Sequence, residues 1–283
     1  MKKFFTVLSA GAVALVLTAC NTSATPEKGS TDTSKLTLEQ VYEKAIERQS
    51  DIESMSASME MEQKMKFGDG EESMEMNMDS QMDIDMIAKP LAMHLSGTMT
   101  APDLLGGGTE DSKMPIEMYM KQDQGFFMKD PTSDSWMKMP SEEFDAILGQ
   151  TASSANAKEQ LEQLKQYTDD FTFEQNDDTY VLTLNAQGDA FKELIQAEMD
   201  KTLGTGNNPL DDLTIDKANY VIYIDKETFD TNKMDIEFDL IMKVEGQEAS
   251  IQTKSVVTYS EINNVDSIDI PQSIIDAATV IEN

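Results

Sequence analysis

The sequence predicts an α+β fold in which a strongly curved antiparallel sheet, an open half-barrel, wraps around several helices. Long stretches alternate apolar and polar residues with a period of two, whereas shorter stretches repeat apolar residues at helical spacing. The chain also has 21 methionines, many of them in the alternating stretches. A sheet with one apolar face cannot leave that face in water, so the helices are its expected cover.

The first element is a secretory signal over residues 1–19. Lys2 and Lys3 precede an apolar run that ends in Leu17-Thr18-Ala19-Cys20, and this run is too short for a membrane helix. The last four residues resemble a bacterial lipobox. This resemblance implies that Cys20 carries a lipid and holds the mature chain on the extracellular face of a Gram-positive cell membrane. An ordinary signal peptide with a chance cysteine is the alternative.

Composition excludes several classes of function. The net charge of −31 becomes more negative once the two signal lysines are removed, so the chain should repel nucleic acid. Cys20 is the only cysteine, and its lipidation leaves no thiol for a disulfide, a zinc site or a nucleophile. We therefore expect a monomer without cofactors, whose contact with the membrane runs through the lipid on Cys20.

A polar linker and a helix follow the signal. Residues 20–35 are rich in Ser and Thr without apolar periodicity, which predicts a flexible tether. A single domain is expected over residues 36–283. Thr37 and Gln40 form a capping-box pattern at the start of its first helix, which has one apolar stripe.

The first half of the domain is predicted to be a strand meander. Residues 55–67 and 74–86 alternate around the Gly68-Asp69-Gly70 turn, which predicts a hairpin of two long strands. Residues 91–99 and 114–120 form the next two strands. Pro115 in the latter indicates an edge or a bulge, because proline cannot donate to the ladder.

The second half repeats the order of helix and meander. Helical spacing is found between residues 141 and 167 and again over 189–203. Strands are predicted around 171–174, 180–184, 220–224, 234–244 and 249–259.

Two short motifs carry a family resemblance. They are Tyr220-Val221-Ile222-Tyr223-Ile224-Asp225-Lys226-Glu227-Thr228 and Val265-Asp266-Ser267-Ile268-Asp269-Ile270-Pro271. The first is similar to a strand and turn of the LolA/LppX/LprG-like lipoprotein fold, and the second resembles the closing strand of Gram-positive lipoproteins of the DUF6612 type. The resemblance implies a cavity between sheet and helices that holds lipid or lipoprotein acyl chains.

No residue pattern for catalysis or for a metal site stands out, and we expect no enzyme. His94, the only histidine, lies out of phase with the apolar residues of its strand, which predicts a solvated side chain. Carboxylates such as Asp83 and Asp85 alternate with apolar residues and are expected on the outer face.

The methionines allow three interpretations. Methionine fills irregular cores, its thioether suits Cu(I), and its flexibility suits a wall that repacks around guests of varied shape. The third interpretation predicts a ligand-lining surface on the first half of the sheet, since the second half uses Ile, Phe, Leu and Val instead. The expected lining residues are Met59, Met61, Met65, Met74, Met76, Met78 and Met82.

The sequence therefore predicts a membrane-anchored extracellular lipoprotein that binds an apolar ligand, a lipid or an acyl chain, between sheet and helices. A cell-envelope interaction or structural module with a solid core is the alternative, and Cu(I) binding by methionine pairs is the third.

Overall fold

The computed structural model describes residues 23–68, 73–102, 111–141, 144, 171–186, 214–244 and 247–281. Two helices lie in these ranges, α1 over Leu38–Ser50 and α2 over Gln272–Ala277. The strands are β1 Thr25–Pro26, β2 Ser54–Phe67, β3 Met74–Ala88, β4 Leu91–Pro102, β5 Asp111–Lys121, β6 Gly125–Lys129, β7 Trp136–Lys138, β8 Phe171–Gln175, β9 Thr179–Ala186, β10 Thr214–Asp225, β11 Thr231–Val244, β12 Gln247–Ser260 and β13 Thr279–Val280. None of the described helices is long and apolar enough to cross a membrane.

All of these strands belong to one large, curved and unclosed sheet. Its order is β1-β8-β9-β10-β11-β12-β2-β3-β4-β5-β6-β7-β13. The pairings are antiparallel except at the two edges, where β1 runs parallel to β8 and β13 runs parallel to β7. The predicted hairpin of long strands is confirmed, because β2 and β3 pair from Ser54–Ile87 to Phe67–Met74.

The register gives the sheet two different faces. Residues directly opposite each other on paired strands point to the same side. Met59 therefore shares a face with Met82 on β3 and with Val257 on β12. Helix α1 packs on this side, which we call the helix face. The acidic residues between the methionines, such as Asp83, lie on the opposite face.

Helix α1 begins as its sequence predicts. The Thr37 backbone N–H donates to Gln40 Oε1 at 3.0 Å, and the Gln40 backbone N–H donates to Thr37 Oγ1 at 3.3 Å. This capping box satisfies two of the backbone donors that a helix N-terminus leaves unpaired. Leu38, Val41 and Tyr42 are buried against β8, β9 and β10. The apolar stripe thus places α1 over the second half of the sheet.

A second core lies on the opposite face, where the sequence predicts solvated residues. Phe127 on β6 is fully buried against Ile270 and Ile274 from the C-terminal segment. Tyr119 and Trp136 pack around this cluster. The sheet is therefore covered from both sides, by α1 at one place and by the C-terminal segment with α2 at another.

Pro115 confirms the prediction of an edge-like position. It lies in β5 opposite Thr98 of β4, whereas β6 pairs with β5 only from Met118 to Lys121. Within the described part of the chain, the ladder at Pro115 therefore runs on one side of β5 only. A residue without a backbone N–H is tolerated at such a position.

Two sequence predictions need correction. Several helices inside the half-barrel are not supported, because the described residues form mostly sheet with few helices. The helices predicted within 141–167 and 189–203 lie outside the described residues, apart from residues 141 and 144. The second correction concerns the tether predicted over 20–35. Its described part packs against the sheet: Ala24 is buried, and Thr25 and Pro26 pair with β8.

Gly97 provides a test of the β3–β4 pairing. A Cβ at Gly97 would lie 2.1 Å from the backbone oxygen of Gln81, far inside van der Waals contact. A glycine inside a strand is ordinarily destabilising relative to alanine. At this position we expect the reverse, with Gly97→Ala lowering the free energy of unfolding by about 2 kcal/mol or more. Urea unfolding measures this change.

The neighbouring Ser96→Ala is the matched control for this substitution. We expect it to change the free energy of unfolding by about 0.5 kcal/mol or less. An unchanged or more stable Gly97→Ala variant would contradict the close approach of β3 and β4.

Candidate functional site

A cavity of about 230 Å³ lies between α1 and the helix face of the sheet. It extends along α1 from Tyr42 to Gln49 and reaches Ile52 just beyond the helix. Most of its wall is apolar. The apolar lining residues are Ala45, Ile52, Met55, Leu182, Ile222, Ile224, Phe229, Met234 and Ile262. Such a space favours an apolar guest, because the wall offers few groups that could hold water.

One end of the cavity is polar. Arg48 Nε donates to Asp230 Oδ1 at 2.6 Å, and Arg48 Nη2 donates to Asp230 Oδ2 at 3.4 Å. The Asp230 side chain is 11% exposed and the Arg48 side chain 29% exposed. The Asp230 backbone N–H donates to Thr228 Oγ1, which helps to hold this turn in place. The fork of two hydrogen bonds neutralises both charges, so the pair closes this end without adding net charge.

Two tyrosines, Tyr42 and Tyr259, also line the cavity. Burial raises the pKa of each phenol above its ordinary value. The Tyr259 hydroxyl donates to Met234 Sδ across 3.6 Å. Both rings therefore remain uncharged at neutral pH and present their apolar surface to the space.

The seven methionines predicted as ligand-lining share one side of the sheet. Met59 lies opposite Met82, and Met65 lies opposite Met76. All are half-buried except Met74, which is 52% exposed. None of the seven lines the 230 Å³ cavity, where Met55 and Met234 supply the thioethers instead. Met55 has the same alternation as the predicted set, whereas Met234 lies in the second half of the sheet, outside the predicted lining surface.

We call the side of the sheet that carries the seven predicted methionines the methionine face, and it adjoins the cavity. Met234 pairs with Val257, and Val257 in turn pairs with Met59. On the other side, Met55 pairs with Met86, which pairs with Met93. One apolar face therefore runs from the space beneath α1 across β2, β3 and β4.

Small polar side chains interrupt this face and were not predicted. Ser80 and Ser255 lie in one row on either side of Met61. Gln63 Nε2 donates to Thr253 Oγ1 at 3.2 Å in the next row. Ser255 Oγ is buried without a hydrogen-bond partner among the described residues. Alternation places a serine on the same face as its apolar neighbours, but only the strand register brings these residues together.

His94 lies on the opposite face, away from the cavity. Its ring stacks on Tyr119 with 4.2 Å between centroids, and its Nε2 lies 3.9 Å from Glu117 Oε1. The side chain is 27% exposed, so it is less solvated than the sequence predicts. No group of three or more His, Cys, Asp or Glu residues within the described ranges is arranged to hold a metal ion.

Cys20, the predicted lipidation site, lies outside the described residues. The site that the structure describes is therefore the cavity with the adjoining methionine face.

Comparison with known proteins places the chain in a recognisable group. A family model described as "Family of unknown function (DUF6612)" matches residues 37–279. A comparison with curated proteins gives no match.

Three solved structures align with the chain at low similarity. A β-barrel-like DUF1849 protein from Brucella abortus is 9% identical, with 73% of this chain and 98% of that chain covered and a TM-score of 0.21. A DUF1329 protein from Desulfovibrio piger is 10% identical, with coverages of 79% and 91% and a TM-score of 0.19. A putative outer membrane lipoprotein-sorting protein domain from Vibrio parahaemolyticus is 9% identical, with coverages of 84% and 98% and a TM-score of 0.16. Superpositions this loose support no inference about this chain.

The buried phenols give a prediction for alkaline pH. Tyrosine has an ordinary pKa of about 10, and burial raises the pKa of Tyr42, Tyr220 and Tyr259. As the pH rises above about 10, the unfolded chain loses these protons while the folded chain keeps them. We therefore expect the free energy of unfolding to fall with pH in this range.

Tyr42→Phe should reduce the steepness of this alkaline fall, because the variant lacks the phenol with the largest shift of pKa. Urea unfolding at a series of pH values measures the slope for both proteins. Equal slopes in the wild type and in Tyr42→Phe would show that the ring is not buried as described.

Proposed function

This chain belongs to the DUF6612 family, whose function is unknown, and we propose from its site that it binds an apolar ligand between α1 and the sheet. The ligand we propose is a lipid or an acyl chain. Membership confirms the DUF6612 resemblance drawn from residues 265–271. In this proposal the protein acts by burying the acyl chain away from water, and none of its side chains needs to react.

The observation that carries this proposal is the apolar cavity of about 230 Å³ beneath α1. Burying a methylene group contributes about 0.8 kcal/mol, so six methylenes would contribute about 5 kcal/mol before ordering costs. The volume is small for a complete lipid, because ligand pockets usually measure about 300–1,000 Å³. We therefore propose that the cavity holds one part of the acyl chain and that the adjoining methionine face holds the remainder.

The methionine face supports the second part of this proposal. Met59, Met61 and Met82 are half-buried and lie within one row of Met234 or Val257. Methionine has three rotatable bonds and a polarisable sulfur, so it adapts to guests of different shape. A wall of this kind suits acyl chains that differ in length and branching.

We also propose that Cys20 is lipidated and anchors the protein to the extracellular face of the cell membrane. The lipobox-like Leu17-Thr18-Ala19-Cys20 supports this anchor. A surface anchor would place the ligand site close to the lipids it would serve. Replacing Cys20 with Ala tests the anchor, since the variant should be released from the membrane fraction.

Native mass spectrometry of the protein extracted from cells, before and after delipidation, tests the ligand. Co-purifying mass that disappears on delipidation and returns with added fatty acyl ester would support the carrier. A protein that binds no lipid in either form would instead favour the cell-envelope interaction module.

Ala45 allows the cavity to be filled selectively. It faces the cavity from α1, and Ala45→Phe would place a ring in the space that we assign to the ligand. We expect this variant to lose at least about tenfold in affinity for a fluorescent acyl probe, which corresponds to about 1.4 kcal/mol. The measurement is a fluorescence titration.

Glu47→Phe is the matched control on the exposed side of the same helix. It adds the same ring outside the cavity and should leave the affinity unchanged. Equal affinity of Ala45→Phe and the wild type would place the ligand elsewhere.

The methionine face leads to a separate prediction about selectivity. Replacing both Met59 and Met82 with Ile keeps the face apolar but restricts χ1, because isoleucine is β-branched. We expect the double variant to bind straight chains nearly as well as the wild type, and branched or cyclic chains several-fold more weakly. Competition against the fluorescent probe measures the ratio.

Thermal unfolding of this double variant checks that the fold is retained. If the affinity ratio between straight and branched chains is unchanged, the pliable-wall interpretation fails and these methionines act as ordinary core residues.

A further inference from the structure

The N-terminal segment, residues 23–36, is bound to the sheet along the outer edge of β8. Ala24 is only 3% exposed and belongs to the core cluster beneath α1. Thr25 and Pro26 pair in parallel with Glu174 and Gln175. The Glu27 backbone N–H then donates to the Gln175 carbonyl oxygen at 2.7 Å. The segment therefore continues the domain.

One buried side chain ties both ends of this segment. Gln175 is 1% exposed. Its Nε2 donates to the carbonyl oxygens of Ala24 at 2.8 Å and Ser34 at 3.1 Å. Its Oε1 accepts from the Ser34 backbone N–H at 2.8 Å. A buried amide with both of its ends satisfied by the same segment fixes that segment in place, because leaving either group unpaired is costly.

A second attachment lies at the middle of the segment. Asp177 Oδ1 accepts from the backbone N–H groups of Thr31 at 2.6 Å and Asp32 at 3.0 Å. These hydrogen bonds hold the pKa of Asp177 below its usual value. Lys226 Nζ donates to the Asp32 carbonyl oxygen at 2.9 Å. The segment is therefore held at its start, middle and end.

This attachment shortens the connection between lipid and domain. Only Asn21, Thr22 and Ser23 separate Cys20 from the buried Ala24, and the four steps from Cys20 to Ala24 span at most about 14 Å when extended. A free tether over 20–35 would have allowed an end-to-end distance of about 20–24 Å with wide excursions. The lipid on Cys20 would therefore hold the β1–β8 edge next to the bilayer.

The charge of the segment agrees with this placement. Glu27 and Asp32 are balanced by Lys28 and Lys35, whereas the whole chain has a net charge of −31. A bilayer with anionic lipids repels most of this protein, and a segment without net charge is repelled less than its acidic surroundings. Helix α1 starts directly after the segment, so an edge held at the bilayer also fixes the orientation of the cavity.

We propose that residues 23–36 form a rigid foot through which the domain stands on the bilayer that carries its anchor. The inference rests on the proposed lipidation of Cys20. It extends the proposed function, since the cavity would be held at a set height and orientation above the lipids.

The test uses the full lipidated chain in phospholipid vesicles that contain a lipid with a nitroxide headgroup as quencher. A fluorophore is attached to Lys28→Cys in the foot or to Asp123→Cys in the β5–β6 turn, because the acylated Cys20 does not react. We expect the fluorophore at position 28 to be quenched at least about twofold more than the one at position 123.

The decisive variant inserts about twelve Gly and Ser residues between residues 22 and 23, outside the bound segment. It leaves every contact of the foot intact while lengthening the connection to the lipid. We expect quenching at position 28 to fall towards the value at position 123.

Equal quenching at the two positions, or quenching at position 28 that the insertion does not reduce, would overturn the rigid foot while leaving the anchor intact. If the wild-type chain associates with vesicles no more than Cys20→Ala does, the anchor itself fails and the inference fails with it. These outcomes are distinguishable, because vesicle association is measured separately from quenching.

Discussion

The strand register around β2 is the constraint on which the rest of the structure depends. A shift of one residue would move every methionine of β2 to the side that now carries its acids. In the observed register, Met59 meets Met82 on one side and Val257 on the other. The same register lines up the polar row that contains Ser80 and Ser255. The apolar face, the cavity wall and the polar interruptions are all consequences of this pairing.

The two faces of the sheet are buried by different parts of the chain. Helix α1 covers the helix face over β8, β9 and β10, where its apolar stripe meets large residues such as Tyr180 and Leu182. The C-terminal segment covers the opposite face at Phe127. A helix that covers only part of a long sheet leaves room beneath and beside it. The cavity lies between α1 and the sheet, and the Arg48–Asp230 pair lines one end of it.

The N-terminal segment links the proposed anchor to the proposed ligand site. Gln175 belongs to the strand on which α1 packs, and its side chain binds the segment that precedes α1. The N-terminal segment, helix α1 and the wall of the cavity therefore lie together at the side of the sheet formed by β8, β9 and β10. For a protein that takes up acyl chains from a bilayer, this arrangement would keep the site oriented with respect to its source.

Local patterns in the sequence determined the strands of the first half, the α1 capping box at Thr37 and the shared face of the methionines, because alternation and capping act between residues close along the chain. Tertiary structure alone decided which elements meet. The tether prediction failed because Gln175 lies about 150 residues from Ala24, and no local signal reports their contact. His94 was expected to be solvated, but its ring stacks on Tyr119 of the neighbouring strand, which covers part of it. The cavity likewise depends on tertiary packing, because its wall combines α1 with residues from β2, β9, β10 and β11 that lie far apart in the sequence.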